Sequence, residues 1–260
     1  MSIDNIGIIQ GRLTQPIDGF QECPSDWKRE FDLLSNMDLK HIEWIITDKS
    51  FSSNPFFYED LTEYPISSVC ADNLVNSKIS TYGFLEHNLK PICEASIKNN
   101  VSCVTIPLLE DSSMQDAEIR KMFCDNIIKI TDKYPNLLFS FEAELDKDGI
   151  CDILYMSDNY RITYDTGNMT SCHIDHKSYI YDLHDRINNV HLKDRTYDAK
   201  TVYPMSGDTD FLNIFRYLKS HNYNGPYSLQ TARGPIGSEA VTIQQHIKIF
   251  KEVYNESQCI

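Results

Sequence analysis

Short runs of β-branched, aromatic and aliphatic residues alternate with longer stretches of helical period along the whole chain. The apolar runs cover residues 6–13 (IGIIQGRL), 41–47 (HIEWIIT), 66–71 (ISSVCA), 102–108 (SCVTIPL), 137–144 (LLFSFEAE), 160–164 (YRITY), 189–192 (NVHL) and 227–231 (YSLQT). Helical period is expected over 25–37 with Ser25 as N-cap, weakly over 57–62, over 84–99, and from Ser112 or Ser113 to about 133. It recurs over 150–157, 175–185, 209–220 with Asp208 or Thr209 as cap, and 238–254. Eight such runs in 260 residues give one unit per roughly 32 residues, the size of a βα unit. This alternation predicts a single α/β domain over residues 1–260, folded as a (β/α)8 TIM barrel. An open doubly wound sheet is the alternative. It normally carries a glycine-rich phosphate loop after its first strand, and QGRLTQP at 10–16 has no G-x-G-x-x-G pattern.

The charge narrows the partners. Twenty-four Lys and Arg against 38 Asp and Glu leave a net charge of −14, which disfavours nucleic acid and anionic membranes. No run of about 18 apolar residues suggests a transmembrane helix, and MSIDNIGIIQGRL lacks the basic start of a signal peptide. The expectation is a cytoplasmic protein. The eight cysteines (23, 70, 93, 103, 124, 151, 172 and 259) form no C-x-x-C pair and show no period, so they read as reduced, mostly buried thiols. Cys70 and Cys172 lack a paired histidine in the motif set and are expected to pack.

In a barrel, chemistry sits at the C-terminal strand ends. Those ends offer Gln10 and Arg12, Glu43, Asp72, Glu142 and Glu144, Asp165 and Asn168, then His191, Lys193, Asp194 and Arg195, and finally Gln230 and Arg233. Glu142, Asp165, His191 and Gln230 fall on four consecutive strands. Such oxygen and nitrogen donors suit one divalent ion, Mn²⁺, Co²⁺, Mg²⁺ or Zn²⁺, and the lack of cysteine argues against a structural zinc. The same residue types at strand ends also make ordinary hydrogen bonds.

The strings TYDTGN (163–168), NNVHLKDRT (188–196), GDTDF (207–211) and NGPYSLQTAR (224–233), with GIIQGRL and KHIEWI upstream, resemble the xylose-isomerase-like sugar isomerase/epimerase superfamily. That superfamily includes AP-endonuclease-like barrels. The resemblance spans nearly the whole chain, strongest over 142–233 and weakest over 49–79. It implies a TIM barrel with a single divalent metal held by Glu142, Asp165, His191 and the residue at 230. There this chain departs: the string usually reads L-E-x-x-R, and here it is LQTAR. In such epimerases the two Glu residues flank the substrate carbon and move its proton. Gln230 has no titratable proton. Three readings stand: an amide ligand with Glu142 as sole proton carrier, a second role for Glu144 or Asp194, or a degraded site that binds without converting. Asn168 stands where some members carry His, which with the net charge counts against an AP endonuclease.

The resemblance therefore implies a metal-dependent sugar or sugar-phosphate isomerase/epimerase working through an enediolate, with Glu142 at the proton and Lys193 as electrostatic support. The alternatives are a dehydratase on the same scaffold and a non-catalytic carbohydrate-binding barrel. Gln10, Arg12, Asn168, Arg195 and Arg233 are the candidate substrate contacts. The arginines together favour an anionic sugar derivative, although each also fits a rim salt bridge. Glu43 fits a buried structural carboxylate equally well, and His173 with His176 reads as a surface pair. The expected partner is a small molecule, and dimers or tetramers fit the resemblance.

Overall fold

The computed structural model describes residues 3–16 and 22–258; Cys259 lies outside them. In chain order the elements are β1 (Ile6–Ile9), α1 (Trp27–Asn36), β2 (Ile42–Ile45), β3 (Ile66–Cys70), α2 (Tyr82–Asn88), α3 (Lys90–Lys98), β4 (Cys103–Leu108), α4 (Ala117–Thr131), β5 (Leu138–Ala143) and α5 (Lys147–Leu154). They continue with β6 (Tyr160–Asp165), α6 (Thr166–Ser171), α7 (His176–Leu183), β7 (Ile187–Leu192), β8 (Asp194–Arg195), β9 (Thr201–Val202), α8 (Phe211–Ser220), β10 (Tyr227–Leu229) and α9 (Glu239–Glu256). Eight strands close in the order β1-β10-β7-β6-β5-β4-β3-β2, the (β/α)8 topology that the alternation predicts. The chain divides into two compact units, residues 1–42 with 164–260, and residues 43–163. Both dividing points fall inside strands, β2 and β6.

Within 43–163, strand parity separates two faces. Phe139 and Phe141 of β5 meet Tyr160 edge to face at 6.3 and 5.0 Å, and Phe123 of α4 lies 6.1 Å from Phe141. These rings form the helix-facing core. The alternate residues are small and polar: Ser140 Oγ lies 2.7 Å from Thr163 Oγ1, which lies 3.5 Å from Thr105 Oγ1. Thr105 and Ser140 are register partners, as are Pro107 and Glu142. Because side chains alternate along a strand, Glu142 shares the face of Ser140, away from the helices.

The other unit follows the same rule. Tyr164 packs against Tyr179 of α7, and Tyr227 of β10 against Phe215 of α8 and Tyr254 of α9. The alternate set comprises Asp165, Asn189, His191, Ser228 and Gln230, with Ser228 Oγ donating to Asn189 Oδ1 at 3.2 Å. Register pairs Ser228 with His191, and the Gln230 N–H donates to the Leu192 carbonyl at 3.2 Å.

Local boundaries differ from the expectations for identifiable reasons. Asp26, not Ser25, precedes α1. Ser112 sits in a 3-10 turn, and α4 starts only where the Asp116 carboxylate accepts the Glu118 and Ile119 N–H groups at 2.8 and 3.0 Å. The 84–99 stretch is two helices. Pro91 has no N–H to carry the helical ladder across the junction, so a new helix starts beside it. Asp210 caps α8, while Asp208 accepts the Tyr197 N–H at 2.7 Å. No helix among the described residues is long and apolar enough to cross a membrane. The seven described cysteines are free thiols.

Candidate functional site

Asp165 ends β6 and is also the N-cap of α6, a helix the sequence reading leaves as loop. Its Oδ1 accepts the Asn168 N–H at 2.7 Å, which fixes the side chain. Its other oxygen, Oδ2, lies 3.3 Å from Lys193 Nζ and 4.0 Å from His191 Nδ1. Burial pushes the Asp165 carboxyl up; Lys193, His191, the Asn168 N–H and Arg195 outweigh it and leave the group below the usual carboxylate range.

Lys193 links the group. Its ammonium donates to Asp165 Oδ2, to Asn168 Oδ1 at 3.3 Å and to Gln230 Oε1 at 3.1 Å. The residues here are sealed from solvent: His191 is 0 % exposed, Asp165 1 %, Gln230 2 % and Lys193 4 %. At that burial, charge interactions are far less screened than at the surface. Two neighbours that the sequence reading missed hold the strand in place. Thr166 Oγ1 accepts the Lys193 N–H at 3.0 Å and lies 2.7 Å from the Lys193 carbonyl and 3.0 Å from that of His191. Gly167 gives the room: a Cβ there would sit 3.0 Å from both Cγ and the carbonyl oxygen of Lys193. The small pair Thr-Gly directly after Asp165 is the only local signal for them.

Glu142, at the end of β5, is 2 % exposed. Within the 164–260 unit, Asp165 Oδ2 and His191 Nδ1 lie 4.0 Å apart; Glu142, in the 43–163 unit, is the third donor of the expected set. Two carboxylates and an imidazole fit a divalent ion by donor type. The fourth position expected from the sequence is engaged otherwise, since Gln230 Oε1 accepts from Lys193.

Asp194, an expected alternative proton carrier, is consumed by structure. Its Oδ2 accepts the Ser206 and Gly207 N–H groups at 3.1 and 2.9 Å, and Oδ1 accepts that of Thr209 at 3.3 Å. Arg12 and Arg233 act first on backbone. Arg12 donates to the Thr231 carbonyl at 2.7 Å, and Arg233 to the Gly11 carbonyl at 2.6 Å and the Thr14 carbonyl at 3.5 Å. Burial, followed by repulsion from Arg233, lowers Arg12 to about 9, while Glu30 and Glu22 pull it back up. Those two carboxylates offset the arginine charge that the sequence assigns to substrate. Arg195 NH1 reaches Ser171 Oγ at 3.4 Å. Gln10 and Glu43 are fully buried, Asp72 and Glu144 half-buried. His173 stacks on Tyr197 at 5.0 Å, whereas His176 bonds Thr170 and Tyr164 rather than pairing with His173.

No protein-family model matches the chain, and no curated protein matches it. Solved structures do. An IolI protein with a bound zinc atom is 14 % identical with a TM-score of 0.74, covering 98 % of this chain and 100 % of its own. A xylose isomerase domain-containing protein from Salmonella typhimurium is 10 % identical with a TM-score of 0.74, covering 98 % of each chain. The 3-keto-D-glucoside 4-epimerase YcjR from E. coli is 16 % identical with a TM-score of 0.68, covering 95 % of this chain and 99 % of its own. The chain thus has the fold of the xylose-isomerase-like TIM barrels.

Proposed function

We propose that this chain is a metal-dependent isomerase or epimerase of a small sugar or sugar derivative. The observation that carries this reading is the buried Asp165–His191 pair, 4.0 Å apart, to which the buried Glu142 would add a second carboxylate. The solved structures of this fold support the general class: one carries zinc, one is named as an epimerase and another as epimerase-like. A divalent ion held by these three side chains would polarise adjacent oxygens of a hydroxy-ketone and lower the cost of removing the neighbouring proton.

The chain's own residues divide the work. Glu142 takes the α-proton and returns it. Asp165 and His191 are held by α6 and by the β7 backbone. The Lys193 ammonium stabilises the negative charge that develops on substrate oxygen in this water-poor setting. Asn168 and Gln230 orient that ammonium through their carbonyl oxygens. Two-base inversion needs a second acid on the opposite face of the carbon. Gln230 cannot supply it, and Asp194 is tied to three backbone N–H groups. The geometry favours one-base chemistry with Glu142 carrying the proton between adjacent carbons. A dehydratase shares that requirement and is the second reading. Gln10 and Arg195 are the remaining candidate substrate contacts, with Arg12 and Arg233 contributing through the first and last loops. A cytoplasmic enzyme, alone or as a homo-oligomer, completes the reading.

Titration with Mn²⁺, followed by electron paramagnetic resonance, tests it. Saturable binding that is lost in His191→Ala supports the reading. Absence of binding to the folded wild-type protein at millimolar ion would overturn it.

A further inference from the structure

The two oxygens of Asp165 are already allotted. Oδ1 accepts the N–H of Asn168 at 2.7 Å as the cap of α6. Oδ2 lies 4.0 Å from His191 Nδ1, and Oδ2 is also the oxygen that Lys193 Nζ approaches at 3.3 Å. A cation placed between Asp165 Oδ2 and His191 would share the oxygen that the ammonium holds. The Gln230 oxygen is also bonded to the ammonium, at 3.1 Å. The residue at 230 is neutral, so no further carboxylate there offsets two cations close together. Lys193 cannot back away with its strand, because Thr166 bonds its N–H and Gly167 lies against its Cγ and carbonyl. Its side chain alone can move.

We infer that the Lys193 ammonium is a built-in competitor of the divalent ion for Asp165 Oδ2, and that it sets how tightly this chain binds metal. The inference rests on the metal reading above and goes beyond it. Metal entry requires the ammonium to leave Asp165 Oδ2. Affinity is then lowered by the cost of that displacement and by repulsion between the ammonium and the incoming ion. Removing the charge while keeping the pocket filled should tighten binding.

The experiment is isothermal titration of Mn²⁺ into wild-type protein and into Lys193→Gln, Lys193→Met and Lys193→Arg, with near-ultraviolet circular dichroism to verify folding. Gln is included because it keeps a donor for Asp165, so that one neutral variant retains the hydrogen bond if Met disturbs packing. The expected result is Mn²⁺ binding about 10- to 100-fold tighter in the two neutral variants, the scale on which residues beside metal ligands act. Lys193→Arg, which keeps the charge, should stay near wild type. Equal or weaker affinity in both neutral variants, with wild type binding Mn²⁺, overturns the inference and leaves the metal reading standing. No binding in any folded variant overturns both.

Discussion

The Lys193 ammonium nitrogen lies 3.1 Å from Gln230 Oε1, and both residues are almost wholly buried. The interaction joins the residue after β7 to the residue after β10. A buried ammonium needs every acceptor it has. Gln230→Leu keeps the volume but removes one of three acceptors. The expected cost is about 1–3 kcal/mol in urea unfolding at pH 7, as for a buried charged donor losing a partner. A variant as stable as wild type would show that the contact contributes nothing to folding.

Asp194 serves the backbone. Three N–H groups of the 206–209 segment converge on its carboxylate, and the residue is fully buried. Asp194→Ala strips all three of their acceptor, so we expect a loss of about 2–4 kcal/mol, more than one typical hydrogen bond. Mn²⁺ affinity of the folded fraction should stay within about twofold, well short of the effect expected beside a ligand. A variant with wild-type stability and lost metal binding would reverse the assignment.

Two histidines make stability fall in mild acid. Burial lowers His176 to about 4, partly opposed by Asp210 and Asp175, and burial lowers His246 to about 4. His246 Nδ1 lies 2.8 Å from Thr231 Oγ1. An unfolded histidine titrates near pH 6.5. Between those values the unfolded chain binds protons that the folded chain does not, so stability is full above about pH 6.5 and falls steadily towards pH 4. At pH 5 the loss is at most about 2 kcal/mol per histidine. Chemical denaturation at pH 7 and pH 5 should show a smaller drop for His176→Gln/His246→Gln than for wild type. An equal drop would assign the acid sensitivity to other groups.

Much of this arrangement is legible in the sequence. The period-2 pattern in LLFSFEAE and YRITYD already puts Glu142 and Asp165 on the side opposite the aromatic core. The order of strands five to eight then brings His191 and position 230 into the same row. What escapes is what depends on one side chain doing two things. Asp165 reads as a site residue, which hides its role as the cap that makes 166–171 a helix. Lys193 reads as a loop lysine or a catalytic aid, because nothing local shows that three acceptors surround it. Strands β8 and β9 have two residues each, too few to show a period. The Arg233–Glu22 pair at 3.9 Å joins opposite ends of the chain, and local pattern carries no trace of it.

The central claim is that Glu142 removes a proton beside a sugar carbonyl with a divalent ion bound nearby. Incubation of Mn²⁺-loaded protein in D₂O with a panel of ketoses and their phosphates, read by proton NMR, tests this most directly. The account predicts loss of one α C–H signal from at least one panel member without release of water, and abolition of that exchange in Glu142→Gln. Retained exchange in Glu142→Gln, or no exchange with any member by protein shown to hold Mn²⁺, would contradict it, while an unsaturated product would assign the site to dehydration instead.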